Sequence, residues 1–450
     1  MPIRPEQFEE RGFGRADAVS RAALVTLASD ALSGAQARWT WFVPGRIEVF
    51  GKHTDYAGGR SLVAAVPRGF AVVGSPRDDA AVRVIDARYG GSVVVDPGDE
   101  AREYVGWHRY VAVVARRLAR NFPGAALGVD IAIASDLPRA AGVSSSSALV
   151  VGLATAMIER AALRDRPEWR DSIHAVEDLA GYLGAVENGL TFGALGSASG
   201  VGTHGGSEDH TAILTCQGGR VSAFAYVPVV HQGDAAMPED WRFLVVSSGI
   251  EADKAGAARD RYNRASLATR ALLDLWTRAH GPARTLAAAL ASGPRAEDAL
   301  RDLVARSAHP AFNAGELSRR LSHFRAEDAR VPAALSAFQD EDVERVGDLA
   351  ADSQRDAERW LGNQIPETSA LVRIACESGA FAATSFGAGF GGSVWALARS
   401  AEAAAVEEQV MGRYGALYPG TGPVTSFIAR PGPALLDLSS GSGPAGVSRA

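Results

Sequence analysis

Only two cysteines, Cys216 and Cys376, occur in the 450 residues, and they lie far apart. They form neither a disulfide framework nor a metal-ligand cluster, so a reducing compartment is the simpler setting. No apolar run approaches the length of a membrane span, and the opening MPIRPEQFEERGFGR is charged, without an apolar core. A soluble, cytoplasmic chain is expected. Clustered positive charge is missing too. With 46 Lys and Arg against 52 Asp and Glu the formal charge is -6, which argues against nucleic acid or membrane surfaces as partners. Any phosphate must be held by local groups. There is no internal repeat, and at 47% hydrophobic and 22% charged the chain can bury a large core in two or three domains.

What is present centres on residues 136–148, DLPRAAGVSSSSA, which run straight into the apolar segment Leu149 to Ile158. A loop of small residues therefore opens a helix. The first turn of a helix carries N–H groups without internal partners, and the helix dipole adds partial positive charge there. Small side chains let a phosphate approach those donors, and serine hydroxyls can cap the helix or reach a phosphate-bound metal. Gly142, Ser144, Ser145, Ser146 and Ser147 are thus candidates for a nucleotide triphosphate cradle. Taken alone, the same residues also describe the entry of a well-capped core helix.

Around this stretch the pattern mixes strands and helices irregularly, which predicts an α+β fold rather than a βαβ series. Helical spacing is expected over 16–31, 109–120, 170–187, 252–276 and 401–413, and strands over 62–66, 71–73, 81–85, 92–95, 128–134, 241–247, 380–385 and 393–397. Residues 40–49, TWFVPGRIEV, read as strand, turn, strand about Pro44-Gly45. Between Gly189 and Gly206 the density of glycine predicts a mobile loop, after which SEDHTAILTC reads as a strand. A connector at 228–240 sets the expected domains at 1–235 and 236–435, and the small, polar residues 436–450 are expected to be a flexible tail.

Two motifs mislead. GAGFGG at 387–392 fits the dinucleotide fingerprint, but a strand follows it at once near the end of the chain, so a tight hairpin with close backbone approach fits better. GRIEVFGKH at 45–53 imitates a Walker A loop with one residue too many between its glycines and His53 where Ser or Thr is required. His53 and Asp55 lack the further ligands of a metal site. For phosphoryl transfer, which needs a cation, a metal-binding carboxylate and an acceptor-orienting carboxylate, the candidates are Arg46, Asp55, Glu187 and Asp209. Asp209 stands out by its setting at the rim of a glycine loop, GGSEDHTAI.

Taken together and in order, PGRIEVFGKHTDYAGG (44–59), LPRAAGVSSSSAL (137–149) and SFGAGFGGSV (385–394) resemble the three signature motifs of the galactokinase branch of the GHMP small-molecule kinases. The resemblance implies two domains, an N-terminal one like domain 2 of ribosomal protein S5 and a C-terminal ferredoxin-like one. It also implies ATP with Mg2+, and a sugar phosphorylated at its anomeric hydroxyl. By position, Arg46 matches the arginine supporting transfer, Asp209 the aspartate facing the anomeric hydroxyl, Glu187 the magnesium glutamate and Ser146 the serine completing the metal site. His53, Asp55 and Tyr262 match sugar contacts, and Gly387 to Gly392 would pack beside the phosphate loop. A single chain acting on small molecules is expected; the alternative is a sensor that binds ATP and sugar and acts through a protein partner.

Three departures from the pattern bear on substrate. Lys52 stands where the family has a glutamate that accepts a hydrogen bond from the far end of the sugar, and a charged lysine has only donors. One reading gives Lys52 a carboxylate on the substrate, which makes a uronic acid a candidate; the other turns it away to pair with a local acid. About twenty residues separate Glu187 from Asp209, more than the pattern allows, and Ser147 replaces an alanine.

Overall fold

The computed structural model describes residues 3–32, 37–138, 142–251 and 257–439. Part of the serine-bearing loop (139–141), the start of the helix expected from 252, and the tail beyond 439 therefore lie outside the described residues.

Twelve strands build two sheets among these residues. They are β1 (Trp39–Phe50), β2 (Arg60–Pro76), β3 (Val82–Asp86), β4 (Ser92–Val95), β5 (Val129–Ser135), β6 (Arg220–Ala225), β7 (Val230–Ala236), β8 (Trp241–Ser247), β9 (Ala382–Ser385), β10 (Ser393–Arg399), β11 (Ser426–Ala429) and β12 (Leu436–Asp437). The first sheet runs β12-β1-β2-β5-β3-β4, with β6 on β2 and β7 on β6; the second runs β11-β8-β10-β9. Only the β3–β5 pair is parallel.

Several expected boundaries shift for physical reasons. Pro44-Gly45 does not turn the chain. It makes a register shift inside one continuous β1, because β2 runs alongside for almost its whole length and supplies partners on both sides of the irregularity. Likewise 60–76 is a single strand. The expected connector at 228–240 contains β7, which pairs with β6 from Arg220↔Ala236 to Ala225↔Val230, so the division drawn at 235/236 cuts through a strand. Residues 436–439 are not loose tail. Phe42 pairs with Leu436, Trp41 with Asp437, and Leu438 is buried against the helix Arg15–Ala31. β7 belongs to the first sheet and β8 to the second, and the last described strand, β12, returns to β1.

The helix Ser145–Arg160 is buried from Ser147 through Ile158. Its sequence, apolar on all sides, suits a helix enclosed by β1, β2 and other helices rather than an amphipathic surface one. At its N-terminal end Ser145 and Ser146 are half-buried. That end meets the β9–β10 hairpin of the second sheet, where Gly387 approaches Gly142.

Candidate active site

Ser144 caps this helix with a left-handed backbone (φ 58°), is buried, and its hydroxyl has no hydrogen-bond partner among the described residues. Gly142, Ser144, Ser145 and Ser146 line a cleft of about 400 Å³, open to solvent, with Phe70, Trp107, Tyr110, Leu149 and Phe386 along its apolar wall. The hairpin closes the other side through Gly389, Gly391 and Gly392. A side chain at Gly387 would press on the Gly142 carbonyl at 3.2 Å, so the hairpin glycines allow two backbones to meet. Apolar walls beside bare helix-end amides and an unpartnered hydroxyl suit a planar base linked to phosphate.

Next to it lies a smaller, polar cleft. Arg46, on β1, is buried there. Its Nη2 lies 2.5 Å from Asp209 Oδ1, its Nε 3.5 Å from Glu208 Oε1, and its Nη1 donates to the Gly142 carbonyl at 2.5 Å. Burial opposes the charge of this guanidinium, but Asp209, Glu208 and Glu48 outweigh it and raise its pKa, so Arg46 is a permanent cation. Ser147 Oγ donates to Glu187 Oε2 at 2.9 Å and to Asp209 Oδ2 at 3.2 Å. The long spacing between Glu187 and Asp209 thus loops out and back, and one hydroxyl joins its ends. His210 Nε2 stands 2.9 Å from the same Glu187 oxygen.

Asp209 does not start a strand. It sits in the first turn of the helix Glu208–Thr215, where acidic residues favour the dipole and strand pairing has no partner. The glycine stretch before it, expected to be mobile, is tied down at its C-terminal end. Asn188 Oδ1 accepts from Gly205 N at 2.7 Å and Thr203 Oγ1 at 3.0 Å, and Asn263 Oδ1 from His204 N at 2.9 Å. Gly206 abuts the Asp55 carboxylate so closely that a Cβ would sit 2.3 Å from Oδ2.

His53, Asp55 and Tyr262 all line this polar cleft. The His53 and Tyr262 rings are 5.2 Å apart, His53 Nδ1 lies 2.9 Å from Tyr56 Oη, and Asp55 Oδ2 accepts the Glu208 N–H at 3.2 Å. Burial and the Asp55 charge raise the Tyr262 phenol well above its ordinary range, which keeps it a neutral donor.

Two expectations need correction. Lys52 does not reach this cleft. It is fully buried on the other side of the loop, its Nζ donating to Ser353 Oγ at 2.6 Å and Thr384 Oγ1 at 2.7 Å near Glu327. Of the two sequence readings, Lys52 turns away as the second expected, but its direct partners are two distant hydroxyls rather than a local acid, and Glu327 acts on it through charge alone. Ser146, expected beside Glu187, lines the larger cleft instead, and Ser147 holds the glutamate. Successive helical positions point about 100° apart, so one step round the helix changes the cleft a side chain serves.

The sequence reading missed Glu48, Glu208 and His210, all of which line the polar cleft. Glu48 had a signal: two residues after Arg46 in an extended strand it shares that side chain's face, a second charge in an otherwise apolar run. Its Oε2 accepts the Gly387 N–H at 2.6 Å, and burial pushes its carboxyl up to about 7 despite Arg46. Glu208 is raised well above its ordinary range, by burial first and by the Glu48 charge next.

The chain is similar to known proteins in both sequence and fold. Three family models match in chain order: the galactokinase galactose-binding signature over 31–76, the GHMP kinases N terminal domain over 109–187 and the GHMP kinases C terminal over 334–417. The solved galactokinase of Lactococcus lactis complexed with galactose has a TM-score of 0.74 at 21% identity, covering 93% of this chain and 100% of its own. For the L. major mevalonate kinase in complex with R-mevalonate the TM-score is 0.54 at 16% identity, with 89% and 100% covered. The fold is the two-domain GHMP kinase fold. The galactokinase of Streptomyces coelicolor is 28% identical over 394 residues, 84% of this chain and 89% of its own. With the galactose-binding signature on its first strands, the chain belongs to the galactokinase-like branch of the GHMP kinase family and is a sugar kinase.

Proposed function

We propose that the protein transfers the γ-phosphoryl group of ATP to the anomeric hydroxyl of galactose or a closely related neutral monosaccharide. The observation that carries this reading is the chain of contacts Arg46–Asp209–Ser147–Glu187 at the junction of the two clefts. Asp209 is placed to accept the hydrogen bond and then the proton of the attacking hydroxyl. Arg46, charged and fixed by Gly142 and Asp209, offsets charge gathering on the moving phosphoryl group. The amides and serines at the helix mouth position the phosphates, and Trp107, Tyr110 and Phe70 offer faces for the base.

Hard oxygen donors of one carboxylate and one hydroxyl, Glu187 and Ser147, suit Mg2+, which is held by few protein ligands and completed by phosphate oxygens. Bound there, the ion would neutralise the β- and γ-phosphate oxygens. Among the described residues no group of three or more His, Cys, Asp or Glu could hold a metal without the nucleotide.

Burial of Lys52 removes the feature that pointed to a uronic acid. The polar cleft instead presents Asp55, Glu187 and Asp209 against the single cation Arg46, a setting that disfavours a substrate carboxylate. Among the described residues no helix is long and apolar enough to cross a membrane, and a single cytoplasmic chain remains the proposed setting. An ADP-release assay over galactose, arabinose, glucuronate and galacturonate tests the reading: galactose is expected to turn over fastest and both uronates at least tenfold more slowly. Sugar binding without ADP release from any of them would make the protein a sensor.

A further inference from the structure

The segment 48–53 and the segment 384–388 belong to different lobes, yet three contacts join them. Glu48 Oε2 accepts the Gly387 N–H, Lys52 Nζ donates to Thr384 Oγ1, and His53 Nε2 lies 3.2 Å from the Ala388 carbonyl. Behind them runs one helix of the second lobe, Ala314–Gln339. Its Glu327 Oε1 accepts the backbone N–H groups of Gly51 at 3.0 Å and Lys52 at 3.3 Å. Its Arg320 donates to the His53 carbonyl, and its Asp328 accepts from the backbone N and side chain of Arg60. Ser353 Oγ, 2.6 Å from Lys52 Nζ, donates to Glu327 at 2.9 Å. The loop that presents His53 and Asp55 to the cleft is therefore held from outside the cleft.

In this buried group Glu327 and Asp356 both pair with Arg330, and Lys52, whose ammonium burial lowers, is supported by the Glu327 charge. Neither Lys52 nor Glu327 lines either substrate cleft.

We infer that Lys52 and Glu327 are positioning residues: a buried strut that fixes the loop bearing His53 and Asp55 against the glycine hairpin, so that they govern sugar affinity without touching the sugar. The inference rests on the proposed function for its kinetic consequence, but the strut itself is a statement about the loop. A bystander pair would contribute to stability alone. A strut also sets the substrate constants unequally: sugar groups hang directly from the loop, while the ATP amides at the serine-led helix do not.

The test uses the full chain with Lys52→Met, Glu327→Gln, the double variant, and Thr384→Val, which removes one acceptor of Nζ and leaves every charge in place. Loss of either single charge leaves its partners uncompensated, whereas the double variant is again neutral. Lys52→Met is expected to raise the sugar KM at least tenfold and the ATP KM less than twofold, and to speed amide hydrogen exchange in the peptide spanning 50–60. The double variant should recover part of both effects, and Thr384→Val should raise the sugar KM about threefold. Should Lys52→Met fail to fold, Thr384→Val and the double variant decide on the same two readouts. A sugar KM within twofold of wild type and unchanged exchange across 50–60 would overturn the strut. If the wild type phosphorylates no sugar, the kinetic reading fails with the proposed function, and exchange alone still decides the strut.

Discussion

Glu48 and Glu327 are both buried glutamates that accept a backbone N–H, from Gly387 and from Gly51 respectively, yet their environments drive them in opposite directions. Burial pushes Glu48 up to about 7, and Arg46, already shared with Glu208 and Asp209, pulls it back only in part. Burial also works against Glu327, but Lys52 and Arg330 together outweigh it and leave its carboxyl below the ordinary range. Depth does not separate the two; the number of cations per acid does. Where charges balance, the protein has built a joint. Where acids exceed cations, the Mg2+ of the proposed reaction would supply the missing positive charge.

If that contrast is right, the two regions should fail in different ways. The largest effect is expected at Asp209. Asp209→Asn keeps size and a hydrogen-bonding oxygen but cannot take the proton, so kcat should fall by about 10³-fold or more while the sugar dissociation constant stays within about threefold. Single-turnover kinetics with calorimetric sugar binding would measure both. Near-normal turnover would remove Asp209 from its role and leave the cleft's excess of acid without a catalytic purpose.

The balanced region should lose stability instead. Arg330→Met strips Glu327 and Asp356 of their shared partner, and breaking a buried pair from one side costs about 3–5 kcal/mol. Denaturant unfolding should show that loss with kcat nearly intact at temperatures where the variant remains folded. A larger fall in kcat than in stability would merge the two regions into one functional unit.

A smaller and oppositely signed effect is expected at Glu48. Because its folded pKa, about 7, lies above its ordinary value of 4.5, the folded state holds a proton that the unfolded chain has already released across that interval. Its contribution to stability is whole below about pH 4.5, declines as pH rises, and is lost above about 7. Glu48→Gln keeps an acceptor for the Gly387 N–H and removes the titration. The variant should match wild type near pH 4.5 and exceed it at pH 8, by roughly 3 kcal/mol at most. Thermal melts across pH 4.5–8 would reveal it. A variant less stable than wild type at pH 8 would mean that Glu48 is needed as a charge partner for Arg46.

How much of this was legible beforehand follows from the range of each interaction. The serine-led helix, the hairpin glycines and the order of the motifs are local patterns, and they gave the fold family together with Arg46, His53, Asp55, Glu187 and Asp209 at one place. Lys52 was ambiguous because its partners Ser353 and Thr384 lie about three hundred residues away, and local sequence carries no sign of them. Glu327 was invisible for the same reason. The residues 228–240 looked like a connector because β7 is largely polar, being exposed or half-buried along most of its length, so period-two alternation of apolar residues is weak. SEDHTAILTC misled in the other direction: a short apolar run does not distinguish a strand from the helix Glu208–Thr215 without knowing what it packs against.

The smallest predicted effect concerns one step along a helix, and it sharpens the division between the clefts. Ser147 Oγ binds Glu187 and Asp209, whereas Ser146 lines the cleft assigned to the nucleotide. If Ser147 is the hydroxyl that completes the metal site, Ser147→Ala should lower kcat about tenfold and raise the Mg2+ concentration needed for half-maximal rate. Ser146→Ala should raise the ATP KM a few-fold and leave that Mg2+ requirement alone. Initial rates over a grid of Mg2+ and ATP concentrations separate the two outcomes. The reverse pattern would return the metal role to Ser146 and require the helix mouth to rotate when nucleotide binds. In that case the Ser147 bridge between Glu187 and Asp209 must open before the phosphoryl group can move.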